Sequence, residues 1–204
     1  MKTLKLMPRM LLGLFLYALG IGITIKAHLG VSPWTVFHQG MSNVFPISLG
    51  QAVILTGLII VVLNYLFKEK IGLGTLLNMS LIGVFIDWLF KLNLIPNSTT
   101  MVTGILMLVS GMFTIAIASW LYIGAGLGAG PRDGLMVILT KKTNKPVGLI
   151  RALIEFAALM LGILMGGKVG IGTAILVFGI GPIIQLTFKL VRFDVKKVEH
   201  RYLG

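Results

Sequence analysis

Six stretches of about 20 residues, each nearly free of charge, take up most of this 204-residue chain and decide what it can fold into. They run Pro8 to Ala27, Ile47 to Phe67, Ile71 to Phe90, Met101 to Ile123, Pro146 to Met165 and Val169 to Phe188. A hydrocarbon layer about 30 Å thick needs roughly 20 helical residues at about 1.5 Å each. A helix at the surface of a soluble core would show a polar stripe every turn, and these do not. Only 12% of the residues are charged, about half the usual share of a soluble domain. The expectation is an all-α integral membrane protein with six transmembrane helices.

The net charge of +12 would suggest nucleic acid as a partner if it formed a patch. It is instead sorted by loop. With the N-terminus inside, 14 basic residues fall on inner segments: Lys2, Lys5, Arg9, Lys68, Lys70, Arg132, Lys141, Lys142, Lys145, Lys189, Arg192, Lys196, Lys197 and Arg201. Only Lys26, Lys91 and Lys168 fall outside, and Arg151 lies within a span. This positive-inside bias places both termini in the cytoplasm and makes the bilayer, with its anionic headgroups, the expected partner in place of nucleic acid. The absence of cysteine removes disulfides, thiolate metal sites and thiol nucleophiles. The first span follows a basic N-terminus as a secretory signal would, but lacks a small-x-small cleavage site, so it is expected to stay as an anchor. A bacterial plasma membrane fits best.

Offsetting the chain by 98 residues aligns 22 identities in 80 positions. The pairs include Gly13 with Gly111, Gly30 with Gly128, Pro33 with Pro131, Gly50 with Gly148 and Gly83 with Gly181. The run Lys70-Ile-Gly-Leu-Gly-Thr75 matches Lys168-Val-Gly-Ile-Gly-Thr173. Apolar composition alone would pair leucines with isoleucines and would not register glycines, prolines and lysines at one offset. Each repeat crosses three times, so the second enters from the opposite side, as in many secondary transporters. That parity holds because Ser32 to Val44 and Gly130 to Thr140 are too short to span. The expected organisation is one transmembrane domain over 1–204, with repeats at about 8–92 and 106–190 and a basic cytoplasmic tail at 191–204.

The elements His28-Leu-Gly-Val-Ser-Pro-Trp34 and Gly126-Leu-Gly-Ala-Gly-Pro-Arg-Asp133, with the Gly-Leu-Gly-Thr opening of the third span, resemble the YczE/YyaS/YitT group of bacterial multi-pass membrane proteins. The resemblance covers essentially the whole chain. It implies location and architecture, and brings no substrate, cofactor or catalytic residue.

Gly30 and Pro33, and Gly128, Gly130 and Pro131, each end a long helix and start a short one, since proline suits a first helical turn. Ser32 can cap the first short helix, with Thr35, His38, Gln39 and Ser42 on one side and Phe37, Met41 and Val44 on the other. Two arrangements remain open. The short helices lie flat at the two interfaces, or they re-enter and aim their N-termini at an anion. Arg132 would add positive charge to the second, and Asp133 would oppose an anion there. Residues Gly124 to Ala129 fit a dinucleotide fingerprint, but no strand precedes them, so close packing or a break is the better account. Gly162 and Gly166 form a G-x-x-x-G packing face.

Ionisable residues within spans are the remaining candidates. Asp87 is expected to pair with Lys91 one turn away, and Arg151 to reach the cytoplasmic face. Glu155 falls near the midplane, about 15 Å along the helix from Lys145, where an acid costs about 2.5–3.5 kcal/mol on insertion scales. Its repeat counterpart is Gly57, and that of Arg151 is Val53, so this pair breaks the internal symmetry. It is either a functional site or a structural ion pair. Thr24, Gln51, Asn64, Asn78, Ser80 and Gln185 are expected to bond mostly between helices, and Trp34, Trp88, Trp120, Tyr65 and Tyr122 to anchor span ends.

Only His28, His38 and His200 are available as histidines, with no H-E-x-x-H or G-x-S-x-G pattern and no carboxylate cluster, so no enzyme, metal site or cofactor is expected. The leading reading is a transporter or permeation pathway for a small anionic or polar solute. The site residues would be Glu155, Arg151, Asp87, Arg132, Asp133, Ser32 and Gln39. The alternative is a non-transporting accessory, scaffold or sensor. A homo-oligomer is compatible with either.

Overall fold

In the computed structural model, which describes residues 2–198 and 201–202, each apolar stretch becomes one helix and each glycine-proline break starts a shorter one. The long helices are α1 (Lys2–Lys26), α3 (Leu49–Leu66), α4 (Leu73–Lys91), α5 (Met101–Gly124), α7 (Val147–Leu164) and α8 (Ile171–Leu190); the short ones are α2 (Pro33–Val44) and α6 (Pro131–Thr143). A 3₁₀ turn, Val195–Lys197, follows, and there is no strand among the described residues. The six long helices are apolar enough to cross a membrane over windows within about two residues of those expected. His200 and Glu199 lie outside the described residues, as do the side chains of Lys2, Lys5 and Lys196.

The caps explain where the helices begin. Ser48 Oγ accepts from Gln51 N–H at 3.0 Å while Ser48 N–H donates to Gln51 Oε1 at 2.8 Å, a reciprocal capping box. Thr100 and Thr103 cap α5 in the same reciprocal way. Pro33 and Pro131 each occupy the first helical position, as expected for a residue without an N–H.

Helices α1 and α5 form the central pair, and α4 and α8 flank them. Small residues let the central backbones meet: Gly13 lies against Tyr122 N and Ala118 O, and Gly111 against Thr24 and Gly20 O. The core around α1 and α4 is built from Met10, Leu14, Ala18, Ile82, Ile86 and Leu89, all buried. Arg9, counted above with the inner segments, lies within α1, where it donates to Trp120 O at 3.3 Å and stacks on that indole.

The glycine-proline breaks dock on the starts of remote helices. Leu29 O accepts from Gly172 N–H, and Leu127 O from Gly74 N–H, both at 2.6 Å. Gly30 at φ +112° faces Gly170, and Gly128 at φ +127° faces Gly72. Both the dihedral and the backbone-to-backbone approach exclude a side chain there. The stretch matching a dinucleotide fingerprint is this second break, with Gly126 also at positive φ. It connects two helices, not a strand and a helix.

Helix α2 packs along α7 and α6 along α3. Gly162 touches the backbone of Val36 and Phe37, so the G-x-x-x-G face is used by Gly162 against α2, while Gly166 at φ +78° ends α7. On the other side Gly134 lies against Asn64, whose Nδ2 donates to Pro131 O at 2.9 Å. Asn64 thus bonds between helices as expected. Thr24 and Ser80 do not: each donates to a carbonyl of its own helix, the local alternative open to a hydroxyl. Gln51 is spent on its cap.

Candidate functional site

A cavity of about 380 Å³ lies among the helices, and the first turns of both short helices line it. Ser32, Pro33, Trp34, Thr35 and His38 come from α2 and its cap; Gly130, Pro131, Arg132 and Asp133 come from α6 and its cap. Tyr17, Ser119 and Tyr122 contribute from the central pair, and Arg151 and Glu155 from α7. Most of the remaining wall is apolar, with Ile82 and Ile86 on α4 and Ile180 and Ile184 on α8.

Each polar group has a definable reason for its position. The guanidinium carbon of Arg132 sits 4.2 Å from the centroid of the Trp34 ring, a cation–π contact that joins the two short helices. Asp133 Oδ2 accepts from Gly130 N–H at 3.1 Å, turning the acid back onto its own helix start. Ser32 Oγ caps α2 through Thr35 N–H at 3.4 Å and lies 2.9 Å from Thr35 Oγ1. Arg151 Nε donates to Glu155 Oε1 at 3.0 Å. The pair cancels charge within one turn of α7, which lowers the cost of holding a carboxylate among apolar helices. His38 is only 3% exposed, and its Nε2 has no hydrogen-bond partner among the described residues.

Eight of the residues singled out in the sequence therefore meet in one place: Glu155, Arg151, Arg132, Asp133, Ser32, Pro33, Gly130 and Pro131. Gly30 and Gly128 shape the breaks from behind the cavity wall, and two candidates belong elsewhere. Asp87 does not pair with Lys91. Its carboxylate accepts from Ser48 Oγ–H and, at 2.8 Å, from Gly50 N–H, tying the end of α4 to the start of α3. Two donors fixed at a helix N-terminus hold a carboxylate better than one flexible ammonium at an exposed surface. Gln39 Oε1 accepts from Lys168 N–H at 3.2 Å, in the loop between α7 and α8. Arg151 bonds Glu155 beside the cavity while most of its side chain stays exposed.

Tyr17, Trp34 and Tyr122 were not legible as cavity residues. Their positions near span ends suggest interface anchors for Trp34 and Tyr122, but Tyr122 is 6% exposed and donates to Gly128 O at 3.4 Å. One signal could have found Trp34: it is the repeat counterpart of Arg132, 98 residues away, and so belongs to whatever site Arg132 serves. Trp88 and Tyr65, by contrast, are exposed near helix ends as expected.

The chain matches the model of a family of unknown function, DUF6198, over residues 4–189. It is 38% identical over 177 residues to the uncharacterized membrane protein YczE of Bacillus subtilis, covering 86% of this chain and 81% of the relative. An uncharacterized protein of Haemophilus influenzae is 30% identical over 187 residues, covering 92% and 85%. The uncharacterized protein YyaS of Bacillus subtilis is 26% identical over 183 residues, covering 88% and 90%. No solved structure matches. Matched by the family model over residues 4–189 and similar to YczE and YyaS over most of its length, this helical chain with six candidate spans belongs to the DUF6198 family.

Proposed function

We propose that the protein is a small transporter or permeation pathway of the bacterial plasma membrane, built from two inverted three-helix repeats around the shared cavity. The repeats are residues 8–92 and 106–190, the termini and the basic tail at 191–204 are cytoplasmic, and the solute is small and anionic or polar. The observation that carries the reading is one cavity into which both short helices direct their first turns, with charged side chains inside.

Matched contacts support the repeat relation. Leu29 with Gly172 has the counterpart Leu127 with Gly74. Gly13 with Tyr122 is matched by Gly111 with Thr24, and Gly162 with Val36 by Asn64 with Gly134. In every case each residue is replaced by the one 98 positions away, and the contact persists. Trp34 and Arg132 are each other's counterparts and touch. Positions that meet their own counterparts lie on a two-fold axis, so the axis of the repeat runs through the cavity. Breaks at such an axis are where secondary transporters bind their solutes, and on this reading α2 and α6 are re-entrant.

The test requires no knowledge of the solute. A pathway must open to both faces, whereas the cavity of a scaffold or sensor opens to one at most. A cysteine replacing Ile180, on the cavity wall of α8, is the only thiol in the chain. It should react with a charged methanethiosulfonate from outside in cells, and from the cytoplasmic side in inside-out vesicles. Reaction from one face alone, or from neither, would overturn the proposal.

A further inference from the structure

The two short helices present different chemistry to the same cavity. At α6 the first turn contains Asp133, whose carboxylate accepts the Gly130 N–H. At α2 the first turn contains no acid, and its cap is a pair of neutral hydroxyls, Ser32 and Thr35. The guanidinium of Arg132 reaches from α6 to the α2 side, over Trp34. Positive charge and an unopposed helix N-terminus thus coincide at α2. Two carboxylates also face the cavity: Glu155 is bonded to Arg151, and Asp133 accepts the Gly130 N–H of its own helix start.

His38, one turn further along α2, is the second and independent sign of a ligand. Its Nε2 is buried at the cavity with no partner among the described residues, and leaving such a group unsatisfied costs free energy that a bound acceptor would recover. An imidazole nitrogen can present the proton that a carboxylate needs. On α4 and α8 the wall is largely apolar: Ile82, Ile86, Leu176, Val177, Ile180 and Ile184 offer no polar side-chain atom, and Asn78 is the one amide among the lining residues of these two helices. A sugar or other polyol would bury hydroxyls unpaired against that wall. A bare inorganic anion would leave it unfilled.

We propose that the cavity binds a small amphipathic carboxylate, its charged end at Thr35, His38 and Arg132 and its apolar body against α4 and α8. This rests on the pathway reading and narrows its solute to one class.

The experiment uses the full chain in lipid nanodiscs, with sodium octanoate, octan-1-ol and sodium sulfate as probes and thermal unfolding as readout. Octanoate should raise the melting temperature by several degrees, octanol by less than half as much at equal concentration, and sulfate not at all. His38→Phe keeps the ring volume without the donor and should weaken the apparent octanoate affinity about tenfold or more; His38→Asn, which restores a donor, should regain part of it. Thr35→Val, nearly isosteric, serves if His38→Phe does not fold, and should weaken octanoate several-fold. Equal shifts from octanol, a shift from sulfate matching that of octanoate, or unchanged octanoate affinity in these variants would overturn the proposal. A cysteine at position 180 that reacts from both faces of a protein indifferent to octanoate would remove only the carboxylate. A cysteine that reacts from one face of a protein that binds octanoate would instead remove the pathway.

Discussion

The third and fourth helices of the first half are locked together, whereas their counterparts in the second half stand apart. Helix α3 packs along α4, with Gly50 and Gly83 in backbone contact and Asp87 bound to Ser48 and Gly50. Helix α7 does not pack along α8 in this way, and Gly148 and Gly181, the counterparts of the two glycines, have open space where a Cβ would go. The differences trace to a handful of positions. Ser48 becomes Pro146, Asp87 becomes Gln185, and Gly57, which nestles against Met79, becomes Glu155. The second half thus loses the clamp at one end and gains a charged side chain where the first half has a glycine contact. Residues of α7 and α8 line the cavity together with residues of α3 and α4, and the sequence differences fall on the side where the two helices part.

The largest expected effect tests whether the halves are inverted at all. Asn43, at the end of α2, and Lys142, near the end of α6, sit at almost equivalent repeat positions and are both exposed. Single cysteines there should behave oppositely. Cysteine at position 43, like one at the exposed Asn97, should react with an impermeant maleimide added to intact cells. Cysteine at position 142 should react only once the membrane is opened. Labelling of both from outside would make the halves parallel and dissolve the comparison.

Glycine substitutions test the closed and open pairs directly. A methyl group at Gly50 would sit on Gly83 O and the Asp87 carboxylate, and one at Gly83 on Gly50 O and the Ile54 side chain, so in each case backbone has to shift. Gly50→Ala and Gly83→Ala should each destabilise by about 3 kcal/mol, the upper range for overpacking. Gly148→Ala and Gly181→Ala should be neutral or stabilise by up to about 1 kcal/mol, through helix propensity alone. Thermal unfolding in one detergent compares all four. Equal losses in both halves would mean that α7 and α8 also close against each other in solution.

How much of this was legible follows from the range of the forces involved. The six spans were readable almost to the residue because hydrocarbon thickness dictates helix length, and Pro33 and Pro131 marked their helix starts for a local steric reason. The charged pair on α7 stood out because Glu155 and Arg151 replace Gly57 and Val53 in an otherwise matched register. What was missed is tertiary. An i, i+4 rule assigned Asp87 to Lys91, whereas its partners lie 37 and 39 residues away on α3. Tyr122 looked like an interface anchor because α5 runs 24 residues, longer than the bilayer needs. Its last turn is buried under the break at Gly128, which only the fold reveals. His38 and Gln39 share one side of α2 in the sequence, and they separate because Gln39 bonds to the loop after α7 while His38 lines the cavity.

The smallest effect isolates the clamp. Removing the Asp87 carboxylate deprives Ser48 Oγ–H and Gly50 N–H of their acceptor, so Asp87→Ala should cost about 1.5–3 kcal/mol, the range for bonds to a charged group. Asp87→Asn keeps one acceptor oxygen without the charge and should cost roughly half as much. Gln185→Ala, at the equivalent position of the open half, should stay within about 0.5 kcal/mol, as expected of a residue outside any such network. The reciprocal change is more telling than the losses. Gln185→Asp combined with Pro146→Ser copies the clamp into the second half, where the glycines needed for close approach are already present. The double variant should draw the ends of α7 and α8 together and lower the rate at which a cysteine at position 180 reacts from one membrane face while sparing the other. Such one-sided slowing would identify the missing clamp as the reason the second half stands open. An unchanged rate on both sides would shift the cause to Glu155 and Arg151, which stand where the first half has Gly57 and Val53.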